Sequence, residues 1–117
     1  MALVTIALLT SAYALAADFS GKWSQSSTEN SSAGAMLVVL QQDGARLSGS
    51  AGPTESRQFP ILNGKVEGDH LVFEIKMGGG TIRFDLMSAG AELKGTARII
   101  EDDGHTDSAN ILLKRIP

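Results

Sequence analysis

The chain has 117 residues, 43% of them hydrophobic and 20% charged, with a formal net charge of −3 and no cysteine. The lack of cysteine excludes disulfides, thiolate nucleophiles, thiolate metal sites and a lipid anchor on an acylated cysteine. The acidic balance, the scattered lysines and arginines and an aromatic content of 5% argue against a nucleic-acid-binding surface.

The N-terminal stretch is predicted to be a signal peptide. Residues 2–17 are almost wholly apolar or small and carry no charge, and Ala14-Leu15-Ala16 forms a small-x-small cleavage site before Asp18. No lysine or arginine precedes the apolar run, and a buried first strand is the alternative, although a core strand needs fewer residues. We therefore expect a signal peptide over residues 1–16, one domain over residues 17–117, a secreted or periplasmic location, and no membrane anchor after cleavage.

Alternating apolar residues predict β-strands over most of the remaining chain. Leu71, Phe73 and Ile75 fall on every second position, as in a half-buried antiparallel strand. Asp43-Gly44 is a strong hairpin signal, and Pro60 indicates an interruption of the fourth strand, either there or at Asn63-Gly64. The predicted strands cover residues 21–27, 36–42, 46–51, 57–66, 70–77, 81–87, 93–100 and 108–116.

Short turns between successive strands indicate a meander, because each strand then pairs with its neighbour in sequence. Eight such strands with one apolar face can form a sandwich or close into a barrel, and closure leaves no exposed sheet edge. The sequence therefore predicts an all-β fold, an eight-stranded antiparallel up-and-down barrel that follows the signal peptide.

Two short motifs carry a resemblance to a known family. Gly21-Lys22-Trp23 resembles the Gly-x-Trp signature of lipocalin-like (calycin) barrels. The sequence of residues 42–49, QDGARLSG, is similar to the Gln-Asp-Gly-x-x-Leu-x-Gly hairpins of short exported bacterial calycin-like domains of unknown function. The chain departs from full lipocalins because it is much shorter and has no long helix or disulfide.

The resemblance implies a plug at one end of the barrel. In lipocalin-like proteins the tryptophan of the signature closes one end, and a basic residue of the last strand packs across it. Lys114 and Arg115 are the candidates here, and parity favours Arg115, which shares a face with Leu113. Gly21, Trp23 and Arg115 are therefore the expected plug residues.

The inward-facing residues of the central strands are either core or pocket lining. If the interior is open, we expect a small apolar ligand to contact Phe73, Ile75, Phe84 and Leu86. An eight-stranded barrel can be filled by its own side chains or can hold one small ligand, and the sequence does not decide between these alternatives.

No motif for catalysis stands out. Residues 101–107 hold four acids and His105, but Asp-Gly between strands is typical of a solvated hairpin turn, and the spacing is not that of a calcium loop. His70 is expected to be an exposed strand-end residue. Glu74 and Asp85 are expected to face water opposite Lys76 and Arg83. These interpretations favour a protein that is not an enzyme and has no metal or cofactor.

Two functions remain. The first is an exported lipocalin-like barrel that binds a small hydrophobic ligand at its open end, with residues 28–34 as a lid. The alternative is a protein-interaction, inhibitor or accessory module in the periplasm. In either case we expect a monomer with no nucleic-acid partner.

Overall fold

The computed structural model describes residues 18–25 and 35–117. The expected signal peptide over residues 1–16 and the expected lid over residues 28–34 lie outside the described residues. Within the described part, every regular element is a β-strand and there is no helix. The strands are β1 Gly21–Gln25, β2 Met36–Asp43, β3 Arg46–Thr54, β4 Arg57–Pro60, β5 Leu62–Glu67, β6 His70–Met77, β7 Gly80–Ala89, β8 Glu92–Glu101 and β9 Thr106–Ile116.

The strands form one closed antiparallel barrel. Each strand pairs with the next along the chain, apart from the junction at β4 and β5, both of which pair with β3. β1 pairs with β2 on one side and with β9 on the other, where Trp23 lies opposite Arg115, and this pairing closes the sheet. Because β4 and β5 together make one interrupted strand, the barrel is eight-stranded, which confirms the predicted fold class.

The interruption of the fourth strand coincides with both predicted positions. β4 ends at Pro60, which has no N–H to donate to a ladder. Asn63, the second residue of β5, adopts a positive φ of 54°, and the register of β5 against β6 shifts between Leu62 and Lys65. A bulge at this position bends the strand and helps the sheet to curve into a barrel.

The core follows the predicted alternation along each strand. In β6 and β7, Leu71, Phe73, Phe84 and Leu86 have no exposed surface, and the residues between them are half-buried or exposed. Gly95 lies at the same level in β8, where a Cβ would collide with the backbone carbonyl of Asp85. The remaining buried apolar residues are Phe19, Trp23, Met36, Val38, Leu40, Leu47, Ala51, Val66, Ile75, Ile82, Leu93, Ala97, Ile111 and Leu113.

The up-and-down order gives the barrel two distinct ends. The tryptophan end is formed by residues 18–21, the turns after β2, β5 and β7, and the end of β9. The hairpin end is formed by the end of β1, the start of β2 and the turns after β3, β6 and β8. The β8–β9 hairpin is longer than predicted, since β9 begins at Thr106, two residues before the expected start.

Candidate functional site

Trp23 is buried near the tryptophan end, with 3% of its surface exposed. Its indole Nε1–H donates a hydrogen bond to the backbone carbonyl of Phe19 at 3.0 Å, which satisfies the polar group that burial would otherwise isolate. The Arg115 guanidinium carbon lies 4.4 Å from the centroid of the indole ring, within the range of a cation–π interaction. Trp23 therefore joins the N-terminal segment to the last strand.

Arg115 also fixes the chain segment that precedes β1. Its Nη1 donates to the carbonyl of Ser20 at 2.6 Å and its Nη2 to the carbonyl of Asp18 at 3.1 Å. Gly21 follows with a φ of 137°, and a Cβ there would lie 2.8 Å from Arg115 Nη1. A side chain at position 21 would be strained and would push the guanidinium away, so the position of Arg115 requires glycine at residue 21.

Gln42 is a further residue of this network that the sequence pattern did not reveal. Its Oε1 accepts a hydrogen bond from the N–H of Phe19 at 2.8 Å, and its Nε2 donates to the carbonyl of Gly44 at 3.0 Å. Its backbone N–H donates to Ser20 Oγ at 2.9 Å. The glutamine of the hairpin motif thus ties the N-terminal segment to the β2–β3 turn.

Asp18 completes the network with a local turn. The N–H of Ser20 donates to Asp18 Oδ1 at 3.0 Å. This backbone hydrogen bond, with help from the Ser20 hydroxyl and the charge of Arg115, holds the pKa of the Asp18 carboxyl below its ordinary value. The tryptophan end is therefore closed by linked structural groups.

The four residues assigned to a ligand lie in the middle of the barrel. Phe73, Ile75, Phe84 and Leu86 have no exposed surface. The Phe73 and Phe84 rings are stacked with their centroids 4.7 Å apart and their planes inclined by 18°. These side chains occupy the middle of the barrel, and they line neither the depression at the hairpin end nor the two grooves beside the β2–β3 hairpin.

The hairpin end has a small apolar depression of about 160 Å³. Met77, Ile82 and Ile99 supply its apolar surface, and Glu101 and two glycines of the β6–β7 turn complete the lining. Ile99 has the parity of an inward-facing residue, but 37% of its surface is exposed because β8 extends beyond the rim of the barrel.

The acids of the β8–β9 hairpin do not form a metal site. Within residues 18–25 and 35–117, no group of three or more His, Asp or Glu side chains is placed to hold a metal ion. Asp103 Oδ1 instead accepts from the N–H of His105, and Asp107 Oδ1 accepts from the N–H of Ser108, each at 2.9 Å. No carboxylate of this hairpin forms an ion pair with another described residue.

The polar residues on the outer face form cross-strand pairs. Arg83 donates to Glu74 at 3.3 Å, as the alternation predicts. Asp85 pairs with His70, whose Nε2 lies 2.6 Å from its Oδ1, and the register places Lys76 opposite Thr81 instead of Asp85. The His70–Asp85 pair is about half exposed and faces solvent, so it lacks the enclosed pocket in which acid–base chemistry is usually performed.

Two shallow grooves border the β2–β3 hairpin at the tryptophan end, with volumes of about 400 and 450 Å³. Both are open to solvent and are lined mainly by polar side chains, which differs from the enclosed apolar pocket that a small hydrophobic ligand requires. The first is lined by Asp43, Arg46, Leu47, Ser48, Asn63 and Gly64, and the second by Ser20, Gln41, Gln42, Asp43 and Ser48.

Comparison with known proteins does not identify a family for this chain. No protein-family model, curated protein or solved structure matches this chain. The eight-stranded antiparallel barrel is compatible with a lipocalin-like fold. Among the described residues there is no helix of sufficient length and apolarity to cross a membrane.

Proposed function

We propose that this chain is an exported, non-enzymatic lipocalin-like barrel that acts as a protein-interaction module. The observation that carries the proposal is the contrast between the fully buried aromatic rings in the middle of the barrel and a partly exposed apolar side chain at one end. Phe73 and Phe84 stack on each other in the middle of the barrel, whereas Ile99 is 37% exposed beside the depression at the hairpin end. Exposed apolar surface beside polar residues is typical of a site that contacts another protein.

Family membership and export are parts of the same proposal. The Gly21-x-Trp23 start, the Arg115 guanidinium over the indole and the barrel topology support the lipocalin-like assignment. The uncharged apolar stretch and the small-x-small motif at Ala14–Ala16 support export. The intact mass of the chain purified from its native cells tests export, since it should correspond to residues 17–117, and a mass that includes Met1 would contradict it.

The second candidate is a small apolar ligand bound at the open end. The depression lined by Met77, Ile82 and Ile99 favours it, because these side chains provide apolar surface next to the core. Its volume of about 160 Å³ is below the range of about 300–1,000 Å³ that is usual for ligand pockets. The ligand of this second proposal would therefore have to be small or would have to displace core side chains such as Phe73.

Native mass spectrometry distinguishes the two candidates. The protein should be extracted gently from the envelope of the cells that make it, after cross-linking in intact cells. A polypeptide bound at a fixed ratio in independent preparations supports the interaction module, whereas a bound lipid-sized mass supports the ligand. A chain released without either companion would contradict both.

A further inference from the structure

We propose that the hairpin end docks a basic segment of a partner protein, and that this segment inserts one aliphatic side chain between Met77, Ile82 and Ile99. This inference deepens the proposed interaction function and rests on it. The site is called the hairpin patch and consists of Met77, Ile82, Ile99, Glu101 and Asp107.

The apolar floor of the hairpin patch is continuous with the core but open to solvent. Ile82 is 7% exposed and Met77 is half-buried, so both keep apolar atoms at the bottom of the depression. Ile99 forms one wall with 37% of its surface exposed. A volume of about 160 Å³ suits a single aliphatic side chain from a partner better than a whole ligand.

Acidic groups border the same opening. Glu101 lines the depression, and Asp107 lies directly across the β8–β9 ladder from Ile99, so its side chain projects from the same face. Neither carboxylate forms an ion pair with another described residue. A lysine or arginine beside the inserted aliphatic side chain could therefore pair with one of these carboxylates without displacing an existing ion-pair partner.

The charge distribution of the chain points to the same partner. Residues 98–108 contain one arginine and four acids, a net charge of −3 with histidine neutral, which equals the net charge of the entire chain. The rest of the protein is therefore balanced, and the excess negative charge is concentrated on this hairpin. Such a field steers a basic segment toward the hairpin and repels an acidic one.

A displayed library of random twelve-residue peptides, selected on the whole mature protein at low ionic strength, tests the proposal. The expected peptides carry an aliphatic residue flanked by lysine or arginine. Their affinity should fall about tenfold or more in Ile99→Ser, because the apolar contact is lost. It should fall about threefold to tenfold in the double variant Glu101→Gln/Asp107→Asn, which keeps the hydrogen-bond acceptors and removes two charges.

Matched controls lie elsewhere on the barrel. Met87→Ser changes an apolar side chain that is 51% exposed, and Glu67→Gln/Asp69→Asn neutralises two exposed acids at the tryptophan end. Both controls should leave the affinity unchanged. The charge variant keeps the apolar floor intact, so it tests the site even if the serine variant folds poorly, and circular dichroism checks the fold of each.

The outcomes separate the site from the function. Peptides that bind Ile99→Ser and the charge variant as tightly as the native protein would place the interaction elsewhere, which overturns the hairpin patch and leaves the interaction module standing. Enriched peptides that are acidic would overturn the inferred partner chemistry. If no peptide is enriched on the native protein, the hairpin patch is overturned, while the native mass spectrum still decides the proposed function independently.

Discussion

The two ends of this barrel differ in how their polar and apolar groups are placed: those at the tryptophan end are bonded within the chain, and those at the hairpin end are partly exposed. At the tryptophan end, the indole of Trp23, the guanidinium of Arg115 and the amide of Gln42 all bond to backbone groups of residues 18–20 or of the adjacent turn. At the hairpin end, Ile99 is partly exposed and the carboxylate of Glu101 forms no ion pair with a described residue.

This difference indicates which end contributes more to stability, and it agrees with the proposal that the hairpin end contacts a partner. Groups that already form hydrogen bonds within the chain have few donors or acceptors free for a partner, and their removal lowers the free energy of unfolding. Groups that remain exposed contribute little to folding, so they can be selected for contact with another molecule. Substitutions at the two ends should therefore differ mainly in the free energy of unfolding that they remove.

The largest effect is expected from Trp23→Ala. The substitution removes a buried indole, its hydrogen bond to Phe19 and its contact with Arg115, and we expect a loss of about 3–5 kcal/mol in the free energy of unfolding. Urea unfolding monitored by circular dichroism provides the measurement. Met87→Ala, at a half-exposed position, is the control and should change stability by about 0.5 kcal/mol or less. A loss of about 1 kcal/mol or less in Trp23→Ala would mean that the indole does not close this end.

The same substitution at two isoleucines compares the barrel interior with its hairpin end directly. Ile75 has no exposed surface, and Ile75→Ala should cost about 2–5 kcal/mol because it leaves a cavity in a packed core. Ile99 is 37% exposed, and Ile99→Ala should cost about 1 kcal/mol or less. Equal losses in thermal or urea unfolding would show that the hairpin end is as tightly packed as the core, which would contradict an open hairpin patch.

Arg115→Met removes the charge over the indole and keeps much of the apolar stem. We expect a loss of about 1–2 kcal/mol, because the cation–π contact and two hydrogen bonds to the carbonyls of Ser20 and Asp18 disappear. Lys114→Met is the matched control. Within the described part of the chain the Lys114 ammonium forms an exposed 3.7 Å pair with Glu92, so this substitution should change stability by about 0.5 kcal/mol or less. If both variants lose the same free energy in urea unfolding, the guanidinium has no special role at the tryptophan end.

The sequence predicted the barrel well because alternation is a strong signal. Leu71, Phe73 and Ile75 follow each other at every second position, and all three have no exposed surface. Parity also selected Arg115 over Lys114 as the residue on the Trp23 face, since side chains of neighbouring residues point to opposite sides of a strand. A period of two thus carries most of the information about which face is buried.

Depth and long-range hydrogen bonds could not be predicted from that period. Ile99 has the parity of a core residue, yet it lies where β8 passes the rim of the barrel. Parity shows on which face of the strand a residue lies, but it does not show how far along the barrel axis the residue is. Phe19 precedes the first strand and belongs to no alternating run, although it is 3% exposed. The pairing of His70 with Asp85 is diagonal across the ladder, so it depends on twist and side-chain reach instead of on register alone.

The smallest effect is expected from Asp18, and only its change with pH should fall in the acid range. The N–H of Ser20 bonds to the Asp18 carboxylate and lowers its pKa in the folded chain below the ordinary value of 3.8. A lowered folded-state pKa adds stability above the unfolded-state pKa, and this increment is lost as the pH falls through the folded-state value. Asp18→Asn keeps the hydrogen-bond acceptor without the charge, so the stability of the native protein relative to this variant should increase as the pH rises from about 2 to about 5, and it should stay constant above that range. Melting temperatures measured across that range provide the comparison, and parallel curves would show that the Asp18 charge does not help to fix the N-terminal segment at the tryptophan end.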